Sequence, residues 1–129
     1  MQAITDLDLL LKSMKPELLE EEFVFCTVKG ELIEYCHLCP QASFIESEGL
    51  TLVLTKTNAE SEGLHFDSVF KQITLTVHSS LDAVGLTAAF SQRLSEQGIS
   101  ANVIAGYYHD HIFVPRKKAQ EALEALMTF

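Results

Sequence analysis

The sequence predicts an α+β fold of two ferredoxin-like β-α-β-β-α-β units, with antiparallel sheets and helices packed on one face. Three observations carry this expectation. Stretches of period-two apolar residues alternate along the chain with stretches of helical period. The resulting element order is α-β-β-α-β followed by β-α-β-β-α, and both halves read as fragments of the split β-α-β unit. The first half lacks its opening strand and the second its closing one, so strands are expected to be shared or exchanged between units, or supplied by a second chain. The polar, glycine-bearing stretch 57–65 gives the boundary: an incomplete unit over 1–60 and a second over 61–129.

Each element has its own signal. Leu7, Leu10, Leu11 and Met14 form one helical stripe, with Thr5 and Asp8 as a capping box and Pro16 as the stop. Acidic ELLEEE leads into a strand over 22–28, rich in aromatic and β-branched residues. Lys29-Gly30 predicts a tight turn into a weaker strand over 31–35. Pro40 opens a short helical piece, PQASFIES, which Gly49 breaks before a strand over 50–56. In the second half, Ile73, Leu75 and Val77 alternate with Thr74 and Thr76, a strand over 69–77 with one buried face. Ala83, Leu86, Phe90 and Leu94 mark a helix that Gly98 ends. Strands over 101–108 and 111–114 are joined by a very short connection. Pro115 then opens a last helix with Ala119, Ala122, Leu123 and Leu126 on its core face.

Charge and motif content exclude several classes of function. Net charge is −9, with 12 acids against 4 bases in residues 1–64 and 6 against 5 in residues 65–129, a balance that repels phosphate backbones and anionic lipid. Neither nucleic acid nor membrane is an expected partner, and the cluster Arg116, Lys117, Lys118 reads as a solvated helix face. No apolar run reaches the roughly 18 residues of a membrane span. Acids near the N-terminus argue against a secretory signal, so a cytoplasmic location is expected. Without a nucleophile elbow, P-loop, dinucleotide fingerprint or HExxH, no enzyme activity and no cofactor are expected.

Two short motifs suggest metal or redox chemistry. Cys36-His37-Leu38-Cys39 has the spacing of a redox pair or half a zinc knuckle, yet a structural zinc site needs four ligands and no second such pair follows. Cys26, Cys36 and Cys39 are an odd set, which reads as buried or loop thiols. His109-Asp110-His111 places two imidazoles on one face of an extended chain, still short of a third ligand. The simpler reading is a sheet corner, with Asp110 securing the turn and His111 packing or bonding beneath a helix.

The strand ITLTV, the turn SSLDAVGLTAAFSQRLSEQGI and the return SANVIAGYYHDHIFVP together resemble the ACT domain, a small amino-acid-binding regulatory module. Asp82-Ala83-Val84-Gly85 matches the turn before the first helix of that family, and Gly98-Ile99 matches the glycine before its second strand. With LLLKSMKPELLEEEFVFCTV and ESEGLTLVL, the whole chain is similar to short bacterial proteins of two ACT-like units without a catalytic domain. It departs from the pattern at Ser100-Ala101, and no fourth strand follows Phe129.

The resemblance implies a ligand site at Ser79, Ser80, Leu81, Asp82, Val84 and Gly85, completed by Asn102, Val103 and Ile104 on the next strand, often across a subunit contact. Hydroxyls, backbone amides and the helix N-terminus suit a ligand carboxylate, Asp82 an ammonium, and Gly85 close approach. Each of these residues also has a capping or packing use. A free amino acid and a homo-oligomer, dimer or tetramer, are therefore the expected partners. The competing reading is an interaction or oligomerisation module with no small-molecule ligand.

Overall fold

The structure, a computed structural model, describes residues 7–76 and 85–129. Thr5, Val77 and Ala83, and the side chain of Leu10, lie outside the described residues. The chain forms two compact units, one of residues 1–20 with 71–129 and one of residues 21–70.

The first unit contains α1 (Leu7–Ser13), the start of β1 (Pro16–Val28), β4 (Phe70–Leu75) from Lys71 on, α3 (Leu86–Glu96), β5 (Asn102–Ala105), β6 (Asp110–Pro115) and α4 (Ala119–Leu126). Its strand order is β1-β4-β6-β5. Pro16 opens β1, the position in a strand that tolerates a missing N–H. The Thr76 backbone N–H donates to Lys15 O (3.0 Å) and Lys71 Nζ donates to Glu20 O (2.6 Å), so the two strands run in opposite directions. The β4-α3-β5-β6-α4 run supplies all of a split unit except its closing strand, and the N-terminal part of β1 stands in that place beside β4. The missing fourth strand comes from earlier in the same chain.

Ile73 and Leu75 pack with Leu86, Phe90 and Leu94 of α3, Ile112 and Val114 of β6, and Ala119, Ala122 and Leu126 of α4. Gly98, in the left-handed region at φ 72°, ends α3. The Arg93 guanidinium lies 4.0 Å from the Phe129 ring centroid and donates to Ala125 O (3.1 Å), tying α3 to the end of α4. The expectation of a single buried face on β4 is corrected: Gln72 and Thr74, on the face away from Ile73 and Leu75, are also buried.

The second unit holds the rest of β1, a 3₁₀ helix (Leu32–Leu38), β2 (Ala42–Glu46), β3 (Gly49–Thr55) and α2 (Lys56–Ser61), with strand order β2-β3-β1. Val24, Cys26 and Val28 of β1 pack with Leu50, Leu52 and Leu54 of β3, Leu38 of the 3₁₀ helix and Ala59 of α2. Three expectations are corrected here. Residues 31–35 form the start of the 3₁₀ helix, because Glu31 and Glu34 close a capping box and Leu38 needs the core. Residues 42–46 form a strand, paired from Ala42↔Val53 to Glu46↔Gly49, so the β3 edge overrides the helix-opening signal of Pro40. The stretch 57–65 contains most of α2, whose N-cap Thr55 accepts from Asn58 N–H at 3.2 Å.

Candidate functional site: a cleft beside the first strand–helix turn

Among the sequence-predicted site residues, Ser79, Ser80, Leu81, Asp82 and Val84 lie outside the described residues. Gly85 is the N-cap of α3 at φ 97°, and a β-carbon there would stand 3.1 Å from the Leu7 side chain. Val103 packs against the core of its unit. Asn102 and Ile104 lie on the face away from the helices, opposite Phe113 and His111, and Asn102 Nδ2 donates to Phe113 O at 3.4 Å. β5 ends the strand order, which leaves Asn102, Val103 and Ile104 along a sheet edge.

The corresponding turn of the other unit forms a cleft of about 450 Å³. One wall is the turn from β1 into the 3₁₀ helix, Lys29 to Leu32, and the other is the β2–β3 hairpin, Ile45 to Leu50. Gly30 has φ 105°, and the Glu34 carboxylate sits where a side chain at that position would begin. The Glu31 N–H donates to Glu34 Oε2 at 2.7 Å, fixing the start of the helix. Lys29 Nζ donates to Glu48 O at 2.8 Å and so holds the hairpin against the turn.

That bond uses one of three ammonium donors, leaving two for a ligand. Glu31, Glu46 and Glu48 set three carboxylates against this one cation. Thr51 donates to Glu46, and Ser47 Oγ donates to Glu48 Oε1 at 2.8 Å. A neighbouring depression shares Leu32, Ile45 and Leu50 and adds Ser43 and Phe44, so a charged end adjoins an apolar wall. The arrangement can accept a carboxylate, an ammonium and an aliphatic stem at once. Reading 31–35 as a strand hid this site, since a strand there turns Lys29-Gly30 into a hairpin. The usable signal was the Glu31-x-x-Glu34 spacing, muted because glutamate is an unusual N-cap.

In the first unit, His109 precedes β6, and Asp110 and His111 open that strand. Asp110 opposes Ala105 within β6, which corrects its expected role in the turn. His111 does not lie beneath a helix either. It shares the opposite face with Gln72 and Thr74, its Nδ1 lying 3.2 Å from Gln72 Nε2 and 3.0 Å from Thr74 Oγ1. Gln72 Nε2 also donates to Thr74 Oγ1 at 2.8 Å. Gln72 can only donate from that nitrogen, so His111 Nδ1 accepts. Burial pushes the His111 pKa down, the neighbouring His109 adds to this, and Asp110 opposes it. Burial raises the Asp110 pKa, against both histidines. Among the described residues, no three His, Cys, Asp or Glu side chains gather to hold a metal. None of the described helices is long and apolar enough to cross a membrane.

Two family profiles, both described as ACT domain, match residues 2–71 and 68–128. The chain belongs to the ACT domain family. These tandem ACT units are similar to a Vibrio cholerae protein of unknown function, described as a possible transport protein. The identity is 62 %, over 93 % of this chain and 92 % of that one, with a TM-score of 0.87. An Agrobacterium tumefaciens protein has the same fold at 15 % identity (TM-score 0.69, covering 88 % and 86 % of the two chains). So does the ligand-free regulatory subunit of aspartate kinase from Thermus thermophilus, at 9 % identity (TM-score 0.65, covering 86 % and 92 %). No curated protein matches the sequence. The cleft lies at the turn from β1 into the 3₁₀ helix, the counterpart of the turn at which the ACT resemblance implies a ligand in the other unit.

Proposed function

We propose that the protein is a regulatory sensor that binds a free amino acid or similar small metabolite through its ACT units, without catalysing a reaction. The observation that carries this reading is the Lys29–Leu50 cleft, where one ammonium, several carboxylates and an apolar wall face a space of small-molecule size. Lys29 takes the ligand carboxylate and Glu46 or Glu48 the α-ammonium. With three carboxylates to one cation, ligands carrying a second positive charge bind best. The Ser79–Gly85 turn with Asn102, Val103 and Ile104 serves as the second unit's binding region. An odd cysteine count and acidic balance fit a reducing cytoplasmic compartment.

A thermal-shift screen of all amino acids at millimolar concentration tests the proposal. A ligand at 100 times its Kd stabilises by about 2.7 kcal/mol, a Tm rise on the order of 10 °C. Basic amino acids should raise Tm more than acidic ones, and Lys29→Ala should remove the shift. A flat response to every amino acid would reject the reading.

A second reading, a self-association module, is favoured by one observation. β2 ends the strand order and presents Phe44 and Ile45, 71 % and 84 % exposed. Such an apolar edge is a template for a second strand. A homo-oligomer formed there and a ligand in the adjoining cleft are compatible.

A further inference from the structure

We propose that Cys36 and Cys39 form a reversible intrachain disulfide by exchange with small-molecule disulfides, a modification site at the end of the 3₁₀ helix. Both thiols are free and exposed, whereas Cys26 is buried in the core of its unit. The Cys39 N–H donates to Cys36 O at 3.0 Å, closing a turn between the two cysteines. A turn of that kind keeps the two Cα atoms within about 7 Å, the range from which a disulfide spans without moving the chain far.

Cys39 is also the one non-glycine residue with positive φ, 51°, among the described residues. Its left-handed backbone precedes Pro40, so this corner is held in an uncommon conformation at the reactive pair. Leu38 anchors the corner from inside: its side chain is in the core, and its carbonyl accepts from Asn58 Nδ2 at 3.0 Å. A zinc site is the less favoured use, since no third ligand gathers with the pair among the described residues.

The exchange balances. One thiolate attacks a sulfur of a low-molecular-weight disulfide and expels one thiolate, leaving a mixed disulfide. The second thiolate attacks the protein sulfur of that bond and expels the other. The protein loses two electrons and two protons, and the small disulfide becomes two thiols. Cys36 Sγ now donates to Leu32 O at 3.3 Å. As a disulfide it has no proton to give, so oxidation releases the carbonyl of a residue that lines the cleft.

The test uses the full chain, equilibrated in graded mixtures of reduced and oxidised glutathione, acid-quenched, alkylated under denaturing conditions and mapped by mass spectrometry. The expected result is loss of two hydrogens in mass, with alkylation lost at Cys36 and Cys39 together and kept at Cys26. Cys36→Ser and Cys39→Ser should each accumulate a glutathione adduct on the remaining cysteine instead. Independent adducts on Cys36 and Cys39 in the unaltered chain would overturn the proposal. So would full alkylation of both throughout the series, or a bond from either to Cys26.

Discussion

Gly30 sets the cleft's first wall through one backbone angle. At φ 105°, with the Glu34 carboxylate where a β-carbon would stand, alanine meets both a left-handed penalty and a steric one. Gly30→Ala should destabilise the chain by about 1–2 kcal/mol or more in urea denaturation. It should weaken any ligand-induced Tm shift as well. His111 offers a second test, in pH. Its folded pKa lies below the ordinary histidine value of 6.5, so the unfolded chain takes up the proton first. Stability from this group is present above about pH 6.5 and is lost as pH falls through that value. Asp110, with a raised pKa, works in the opposite sense and in a more acidic window, above its ordinary 3.8. His111→Asn keeps an acceptor near the Nδ1 position and does not titrate. Its Tm should therefore fall less than that of the unaltered chain between pH 7 and pH 5.5 (both about). At this scale the sequence singled out His111 without its partners, and it did not mark Lys29 and Gly30 as lining a cleft. His111 reaches residues 37 and 39 positions away, and no local pattern encodes those distances.

The elements divide by how much they depend on their neighbours. α3 and α4 were readable because Leu86, Phe90 and Leu94, and Ala119, Ala122 and Leu126, repeat at helical spacing and are buried as that spacing requires. β4 was readable from Ile73 and Leu75 at period two, and β3 and β6 as short apolar runs, although β4 and β6 bury residues on both faces. β2 was not: Ala42–Glu46 has almost no buried residue, and only pairing with β3 makes it a strand. The short α2 was hidden by its polar composition, although Thr55 and Ala59 now explain it as a capped turn with one buried alanine. The β2 edge carries its own prediction. Ile45→Lys places a charge on the exposed apolar edge, a common device against edge pairing. If self-association runs through β2, light scattering should show this variant one association step smaller than the unaltered chain. Its Tm at low concentration should change by no more than about 0.5 kcal/mol equivalent. An unchanged mass would remove β2 from the interface.

For the molecule as a whole, the ACT fold was legible because two incomplete element runs had complementary gaps. What the sequence left open was where the closing strand of the last unit comes from. Residues 16–20 supply it, far from residues 71–75 in the chain and beside them in the sheet. A fragment of residues 71–129 should therefore lack cooperative unfolding by circular dichroism. Adding a peptide of residues 7–20 should restore a sigmoidal transition, through Leu7, Leu11, Met14 and Leu18, which pack on that core. A fragment that melts cooperatively alone would contradict this.

The same connectivity bears on how the polypeptide is made. Residues 16–20 leave the ribosome well before the β-strand they finally join, so their hydrogen-bonding edge must wait without its mate through most of synthesis. Such distant pairing slows the search for the native state. The glutamates at 17, 20, 21 and 22 put a dense negative charge on that waiting segment, which discourages premature partners while translation runs on.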